Sequence, residues 1–190
     1  MSADFTTARL NMVESQVRTQ DVTDVRIHDA MREVRREDFA PAAKGYAAYA
    51  DMEVEYAPGR YLLKPRDVAK LLEAAHPQPL ERALAIAAPY AAALLEHIGV
   101  GVDRFDEDDL KSPAGGDYDI IICEGAVAQA PAAWIEALGP NGRLVLIERD
   151  GPVGKAVIYV RAREGAGRRE LFDATPPVLP GFDRERRFAF

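Results

Sequence analysis

The second half of the chain alternates short apolar runs with stretches of helical character. Apolar runs lie at residues 83–87, 118–123 and 143–148, and helical stretches lie between them at 90–98 and 131–138. The run at 118–123 is continuously apolar, which is typical of a strand buried on both faces of a parallel sheet. Because strands that alternate with helices run parallel and are joined by right-handed crossovers, the sequence predicts an α/β domain.

The C-terminal third changes to consecutive strands joined by short turns. Residues 139–142, Gly-Pro-Asn-Gly, are interpreted as a helix C-cap and turn, and strands are expected at 143–148, 156–163 and 168–172. Two strands joined by a short turn must be antiparallel. The predicted sheet is therefore mostly parallel and is closed by an antiparallel C-terminal hairpin.

The N-terminal third is expected to be helical and then irregular. Residues 5–35 predict two helices, the second after an N-cap around Thr23. The following residues have no clear period and are interpreted as a long connection with short strands, until Pro65 begins another helix. We predict an N-terminal helical arm and connecting segment, residues 1–64, packed on a core of residues 65–190 within one structural domain.

Composition argues against several functional classes. The net charge of −7 over 190 residues argues against a nucleic-acid partner, because phosphate binding requires a basic face. No apolar run approaches the length of about 18 residues that indicates a membrane span. The three histidines lie far apart without ligand spacing, so no metal site is predicted. The single cysteine, Cys123, fits a reducing compartment, and we expect a cytoplasmic protein.

Several segments, in their order and spacing, resemble the bacterial branch of the protein-L-isoaspartate O-methyltransferase family. The segments are Arg35-Arg36-Glu37-Asp38-Phe39-Ala40-Pro41, Arg60-Tyr61-Leu62-Leu63-Lys64-Pro65, Tyr118-Asp119-Ile120-Ile121-Ile122-Cys123-Glu124-Gly125-Ala126 followed by Pro131 and by Leu138-Gly139-Pro140-Asn141-Gly142-Arg143-Leu144, and Leu171-Phe172-Asp173-Ala174 with Leu179-Pro180-Gly181-Phe182. Together they cover nearly the whole chain.

The resemblance implies a fold, a reaction and a cofactor. The fold is the Rossmann-like sheet of class I methyltransferases, and the reaction is methylation of the free carboxylate of an isoaspartyl residue in a damaged protein. S-adenosylmethionine would be the cofactor, and isoaspartyl-containing proteins or peptides would be the partners. On the substrate side the resemblance implies Tyr61, Leu63, Lys64 and Pro65 as candidates, and Leu63 stands where many members carry a hydroxyl residue.

The chain departs from the family at the cofactor motif, which is an acidic residue, an apolar residue and a glycine-rich turn that opens a helix. Ala85 stands at the acidic position, Ala87 and Ala88 replace glycines, and Pro89 follows at once. Each alanine adds a Cβ where the backbone must approach the ligand, and the proline lacks an N–H donor. The lost motif argues against cofactor binding and predicts a small or filled pocket at the end of strand 83–87.

The chain is also expected to be short by one strand–helix unit. Residues 87–117 would have to hold two strand–helix steps, whereas a single βαβ unit takes about 30 residues. The strand expected at 100–105 is therefore either the second or the third of the ancestral sheet. Its Asp103 is a candidate for the acid that holds the cofactor ribose. Asp109 is a candidate near the adenine, with a solvated acidic loop as the alternative.

Residues at the end of strand 118–123 are the remaining candidates. In an active relative this edge would face the donor and the substrate, so Glu124 and Gly125 are candidates for cofactor binding. Cys123 is either a reactive thiol or a small buried core residue, and the absence of a nearby histidine in the sequence favours the core. Trp134 is either a partner contact or a half-buried packing residue.

Three functions are compatible with these observations. The chain is an active isoaspartyl methyltransferase, a pseudo-methyltransferase that acts as a protein-binding module for an unidentified partner, or a binder of another small molecule at the same strand edge. The lost glycine turn favours the second hypothesis for the behaviour of this chain, whereas the family resemblance describes its ancestry.

Overall fold

The computed structural model describes residues 5–184, which contain an N-terminal helical part and a mixed sheet flanked by helices. The elements before the sheet are α1 (Thr6–Met12), continued by a π-helical turn (Val13–Val17), α2 (Val25–Glu33), the 3-10 turns Arg36–Phe39 and Ala42–Ala47, β1 (Val54–Ala57), β2 (Arg60–Leu62) and α3 (Pro65–Ala75). The sheet region comprises β3 (Arg82–Ile86), α4 (Pro89–Ile98), β4 (Gly101–Phe105), β5 (Tyr118–Val127), α5 (Ala132–Glu136), β6 (Leu138–Glu148), β7 (Gly154–Arg161) and β8 (Ala166–Ala174).

In these described residues, the main sheet has six strands in the order β4-β3-β5-β6-β7-β8. The pairs β3–β4, β3–β5 and β5–β6 are parallel, whereas β6–β7 and β7–β8 are antiparallel. The predicted α/β class, with a mostly parallel sheet and an antiparallel C-terminal part, is confirmed. The parallel strands end at one edge of the sheet, which is where ligands bind in open α/β sheets.

The question of which strand occupies residues 100–105 is answered by the pairing. β4 lies directly beside β3, in the position of a second strand, with Gly101 opposite Arg82 and Phe105 opposite Ile86. Within residues 5–184 no further strand pairs with its outer side. The sheet therefore ends at β4, in agreement with the predicted loss of one strand–helix unit.

Two sequence interpretations around residue 138 were wrong. The helix expected to end at Leu138 ends at Glu136, and Leu138 is already the first residue of β6. Residues 139–142 are not a free turn but a bulge in β6, since Tyr118 pairs with Leu138 while Ile120 pairs with Arg143. A Cβ on Gly142 would lie 2.5 Å from the carbonyl oxygen of Tyr118, so this glycine serves the close approach of two strands.

The helical arm packs on the core through α2 and α4. Ile27, Ala30 and Met31 of α2 belong to the same buried cluster as Leu94 and Leu95 of α4. The N-cap of α2 is Asp24, one residue beyond the expected Thr23, and its side chain accepts a hydrogen bond from the Arg26 N–H. The division of the chain near residue 64 stays a prediction. No helix within residues 5–184 has the length and apolarity needed to cross a membrane.

Candidate active site

The turn between β3 and α4, which the resemblance assigns to the cofactor, is built from buried residues. Ala87 is fully buried and Ala88 is 2% exposed. Ala87 has a φ of +45°, a left-handed conformation that glycine adopts freely and that costs other residues about 1–2 kcal/mol. Its N–H donates to the carbonyl oxygen of Phe105 at 2.9 Å. The chain thus keeps a glycine-like backbone at this turn with two buried alanines in it.

A bulge in β5 aims Glu124 at the start of α4. Ile122 pairs with Val145 and Ala126 with Ile147, so three residues of β5 stand opposite one residue of β6. Bulges of this kind redirect side chains at sheet edges and active sites. Glu124 lies inside the bulge and its side chain is completely buried.

Both carboxylate oxygens of Glu124 accept backbone hydrogen bonds. Oε1 accepts from the N–H of Ala91, the third residue of α4, at 2.6 Å, and Oε2 accepts from the N–H of Leu63 at 3.3 Å. Burial raises the pKa of Glu124 to about 7, opposed by the Arg36 charge and these two donors and reinforced by Asp106. The carboxylate therefore joins the turn assigned to the cofactor with the segment assigned to the substrate.

Arg36 supplies the positive charge of this buried cluster. Its Nη2 donates to the carbonyl oxygen of Leu63 at 2.5 Å, and its Nε donates to that of Ala48 at 2.7 Å. The guanidinium lies 4.8 Å from the ring centroid of Tyr90, while Nη1 has no hydrogen-bond partner. Burial lowers the pKa of Arg36. This role could not be predicted from the sequence, because Arg36 stands beside the exposed Arg35 in a run of charged residues.

The substrate-side candidates are placed by the β1–β2 hairpin and the start of α3. Tyr61 is partly exposed and pairs with Glu55 in the hairpin. Leu63 is fully buried, and its N–H donates to Glu124 Oε2 at 3.3 Å. Lys64 is the N-cap of α3 and Pro65 is its first residue. Of these four residues, the described hydrogen bonds bring only the backbone of Leu63 to the buried carboxylate.

Residues 177–179 pack over the end of β5 at Gly125. The N–H of Leu179 donates to the carbonyl oxygen of Ala126 at 2.8 Å, and the N–H of Ala126 donates to that of Pro177 at 3.1 Å. Gly125 has a φ of +150°, and a Cβ there would lie 2.8 Å from Cγ of Leu179. Leu179 is 1% exposed and belongs to the same buried cluster as Ala87. An apolar side chain therefore fills the space in front of Gly125.

The two acidic candidates of the cofactor site lie elsewhere. The Asp103 carboxylate accepts hydrogen bonds from Arg82 Nη2 at 2.7 Å and from the Tyr118 hydroxyl at 2.9 Å, and these residues begin β3 and β5. Asp103 therefore faces the amino-terminal side of the sheet, opposite to the turn. Asp109 is exposed and accepts from the backbone N–H of Lys111 at 2.9 Å, as a solvated loop residue does.

The remaining candidates are core residues. Ala85 is 2% exposed in the middle of β3, between Arg104 and Ile122 of the neighbouring strands. Cys123 is buried, and burial raises the pKa of its thiol, which opposes a reactive thiolate. Trp134 is fully buried and donates from Nε1 to the Leu110 carbonyl oxygen at 2.8 Å, so the interpretation as a partner contact was wrong.

The residues at this edge do not fit S-adenosylmethionine. The N–H groups of Ala87 and Ala91 already have internal partners, and Pro89 has no N–H to offer. Asp103 and Asp109 do not reach the turn, Glu124 is already bonded to the start of α4, and Leu179 packs in the same buried cluster as Ala87. Within residues 5–184, no group of three or more His, Cys, Asp or Glu side chains is placed to hold a metal ion.

Comparisons with known proteins show the family to which this chain is similar. A family model described as "Protein-L-isoaspartate(D-aspartate) O-methyltransferase (PCMT)" matches residues 8–106. The protein-L-isoaspartate O-methyltransferase of Methylorubrum extorquens is 31% identical over 209 aligned residues, which cover 94% of this chain and 91% of that protein.

Solved structures agree on the fold. A structure named protein-L-isoaspartate O-methyltransferase has a TM-score of 0.70 at 16% identity, covering 87% of this chain but only 64% of that chain, which is less than two thirds of it. A putative family member from Plasmodium falciparum, solved with S-adenosyl-L-homocysteine, has a TM-score of 0.69 at 16% identity and covers 90% of this chain and 97% of its own. The sheet is that of a Rossmann-like methyltransferase, and the chain belongs to the protein-L-isoaspartate O-methyltransferase family.

Proposed function

We propose that this chain is a pseudo-methyltransferase of its family, which does not methylate isoaspartyl carboxylates and instead serves to bind another protein. One observation carries the proposal: the carboxylate of Glu124 lies on the N–H of Ala91, at the start of the helix that follows the lost glycine turn. A cofactor at this edge would have to displace the buried side chain of Glu124 and move Ala87 and Ala88 out of their buried positions. An in-line methyl transfer needs its donor held in one geometry, which a filled edge does not permit.

The non-enzymatic part of the proposal follows from what the molecule retains. The sheet and the packed arm persist, whereas Ala85, Ala87 and Ala88 stand at the acidic and glycine positions of the cofactor motif. A net charge of −7 does not favour nucleic acid as the partner. We place the protein in the cytoplasm because its single cysteine, Cys123, is buried and free, as expected in a reducing compartment.

Calorimetric titration with S-adenosylmethionine, and separately with S-adenosylhomocysteine, tests the loss of the cofactor site. We expect no binding heat at high concentration of either ligand, whereas an active family member measured in parallel gives a normal isotherm. A dissociation constant in the micromolar range, about −8 kcal/mol, would contradict the proposal.

A methyl-transfer assay covers the reaction itself. The chain is incubated with labelled S-adenosylmethionine and an isoaspartyl peptide, and the matched control is the same peptide with a normal aspartyl residue. We expect equal background label on the two peptides. Label that depends on the isoaspartyl linkage would establish the active enzyme, which is the competing function.

A further inference from the structure

Within residues 5–184 the main sheet ends at β4 and β8, and these two edge strands differ in their protection. An edge strand exposes unpaired N–H and C=O groups, which proteins protect from other chains with bulges, prolines and charged side chains. β8 has a shift in its register with β7 and a run of exposed charges at residues 168–170. The register of β4 with β3 continues without a shift from Gly101 to Phe105, and β4 contains no proline. Neither a bulge nor a proline therefore protects β4.

The two charged side chains of β4 are paired within the chain. Arg82 Nη2 donates to the Asp103 carboxylate at 2.7 Å. Arg104 donates from Nη2 to Glu96 of α4 at 2.8 Å and from Nη1 to the carbonyl oxygen of Pro89 at 3.2 Å. Because each charge has a neighbour that neutralises it, neither repels an approaching strand as a free charge would.

The outer side of β4 presents backbone groups for hydrogen bonding. The N–H of Gly101 and the carbonyl oxygen of Phe105 both bond to residues that flank β3, at 2.9 Å. In a parallel ladder, alternate residues bond to the same neighbouring strand. Val102 and Arg104 therefore direct their N–H and C=O groups away from β3, where no other strand within residues 5–184 pairs with them.

Partly buried apolar side chains flank these backbone groups on both faces of the sheet. Val102 packs against the buried cluster that contains α4, and Phe105 packs against the cluster on the opposite face. An added strand would cover what remains exposed of both side chains. The edge thus offers the two means by which sheet edges recognise extended peptides, which are main-chain hydrogen bonds and contacts to flanking side chains.

The charge beside this edge favours a basic partner. Residues 106–109, Asp-Glu-Asp-Asp, follow β4 directly and are exposed. Glu107 and Asp108 form no ion pair with any residue between 5 and 184. A strand that pairs with β4 and continues past its carboxyl end would lie beside these acids. Basic residues at that end of the incoming segment would therefore be attracted to them.

We propose that β4 is a docking edge for an extended, basic segment of a partner protein, which adds one strand beside Val102 and Arg104 and places its Lys or Arg residues against residues 106–109. This inference rests on the proposed function, because it specifies the kind of protein segment that the chain binds. A second copy of the chain fits less well. Antiparallel pairing through both Val102 and Arg104 would set Asp103 opposite Asp103 of the other copy, and like charges in that position are destabilising.

Selection from a peptide library tests the docking edge. Phage that display random decapeptides are selected on the full-length protein, and the most enriched peptide is synthesised with a fluorescent label for anisotropy titration. We expect enriched peptides to combine alternating β-branched residues with at least two Lys or Arg residues. A selection without enrichment over a blank surface, or enrichment of peptides without basic residues, would overturn the proposal.

Arg104→Pro and Arg104→Ala separate the backbone contribution from that of the side chain. Both variants lack the guanidinium, but only proline also lacks the outward N–H, and prolines are tolerated on edge strands where that N–H faces solvent. We expect Arg104→Pro to bind the labelled peptide at least about tenfold more weakly than Arg104→Ala. Equal affinities of the two folded variants would exclude strand addition at this edge.

Neutralising the acidic run tests the charge of the partner. The double variant Glu107→Gln with Asp108→Asn is compared with Glu164→Gln and Asp183→Asn, which removes two exposed acids elsewhere. We expect the first pair to weaken peptide binding about fivefold at low salt and to have little effect at about 1 M salt, where charges are screened within about 3 Å. The control pair is expected to leave the affinity unchanged, and equal effects of the two pairs would contradict the assignment.

Amide hydrogen exchange of the wild-type protein gives a measurement that needs no variant. In the free protein the amides of Val102 and Arg104 are expected to exchange faster than those of Asp103 and Phe105, and to slow at least about tenfold when the peptide is saturating. Protection that rises with protein concentration in the absence of peptide would show that a second copy occupies the edge and would overturn the proposal. Unprotected amides in the peptide complex would refute this inference alone, whereas binding heat with S-adenosylmethionine would refute the proposed function.

Discussion

The ionisation of Glu124 gives the protein a pH-dependent stability with a defined sign. Its pKa is raised from 4.5 to about 7, by burial first and then by Asp106, against the Arg36 charge and the backbone donors of Ala91 and Leu63. Between these two values the folded state binds the proton more tightly than the unfolded state. The free energy of unfolding is therefore expected to fall as the pH rises from about 5 to about 8.

The magnitude follows from the same two values. One pKa unit corresponds to about 1.4 kcal/mol, so the rise from 4.5 to about 7 is worth about 3 kcal/mol. Glu124→Gln carries no titrating group at this position. The difference in unfolding free energy between wild type and this variant is thus expected to shift by about 3 kcal/mol, against the wild type, between pH 5 and pH 8.

Urea unfolding of both proteins at several pH values between 5 and 8 measures this difference, provided that each transition is two-state. Glu148→Gln is the control, because hydrogen bonds from Tyr159, Ala130 and Arg168 outweigh burial and lower the pKa of Glu148. Its titration falls below the window, so its difference from wild type is expected to stay constant. Parallel curves for wild type and Glu124→Gln would refute the reasoning.

Three further substitutions test the closure of the edge and the core beneath it. Gly125→Ala is expected to lower the free energy of unfolding in urea by about 3 kcal/mol, because it combines a positive φ with a Cβ 2.8 Å from Leu179. Gly151→Ala is the control, since Gly151 has a φ of +134° and no atom within 4 Å of a Cβ, and its cost is expected to be clearly smaller. Equal costs of the two variants would contradict this reasoning. Leu179→Ala is expected to lower the unfolding free energy by about 3 kcal/mol, and a cost below about 1 kcal/mol would show that this side chain does not fill the edge. Trp134→Phe leaves the Leu110 carbonyl oxygen without its donor and is expected to cost about 2 kcal/mol in the same assay, with a neutral result arguing against the buried bond.

The sheet could be predicted because its signals are local. The apolar run at 118–123 and the helix-forming stretch after Pro89 each identify an element from their own residues, and their alternation determines the parallel part. The β6 bulge could not be predicted, because residues 139–142 carry the same composition as a free turn. What distinguishes them is the approach of Gly142 to the backbone of Tyr118, a contact between residues distant in the sequence.

The sequence shows which residues stand at the candidate site, but their contacts could not be predicted from it. Ala87 and Ala88 revealed the loss of the glycine turn directly. The direction of Asp103 depends on Arg82 and Tyr118, which lie on two other strands, so an acid in an edge strand could not be assigned to either side of the sheet from sequence. The role of Arg36 could not be predicted either, because its burial results from packing of the N-terminal arm on α4, which is distant in the sequence.

Closing a ligand site with alanines alone would leave backbone N–H groups buried without acceptors. When the edge is filled, the N–H groups that once faced ligand or water become buried, and each unpaired donor costs about 1–3 kcal/mol. Here Ala87 donates to Phe105, while Leu63 and Ala91 donate to Glu124. The remaining cost is the desolvation of one carboxylate, visible in its raised pKa and offset in part by the buried guanidinium. A stable closed edge therefore requires an internal acceptor as well as the lost glycines, and this makes Glu124, more than the alanines, the residue on which the closed edge depends.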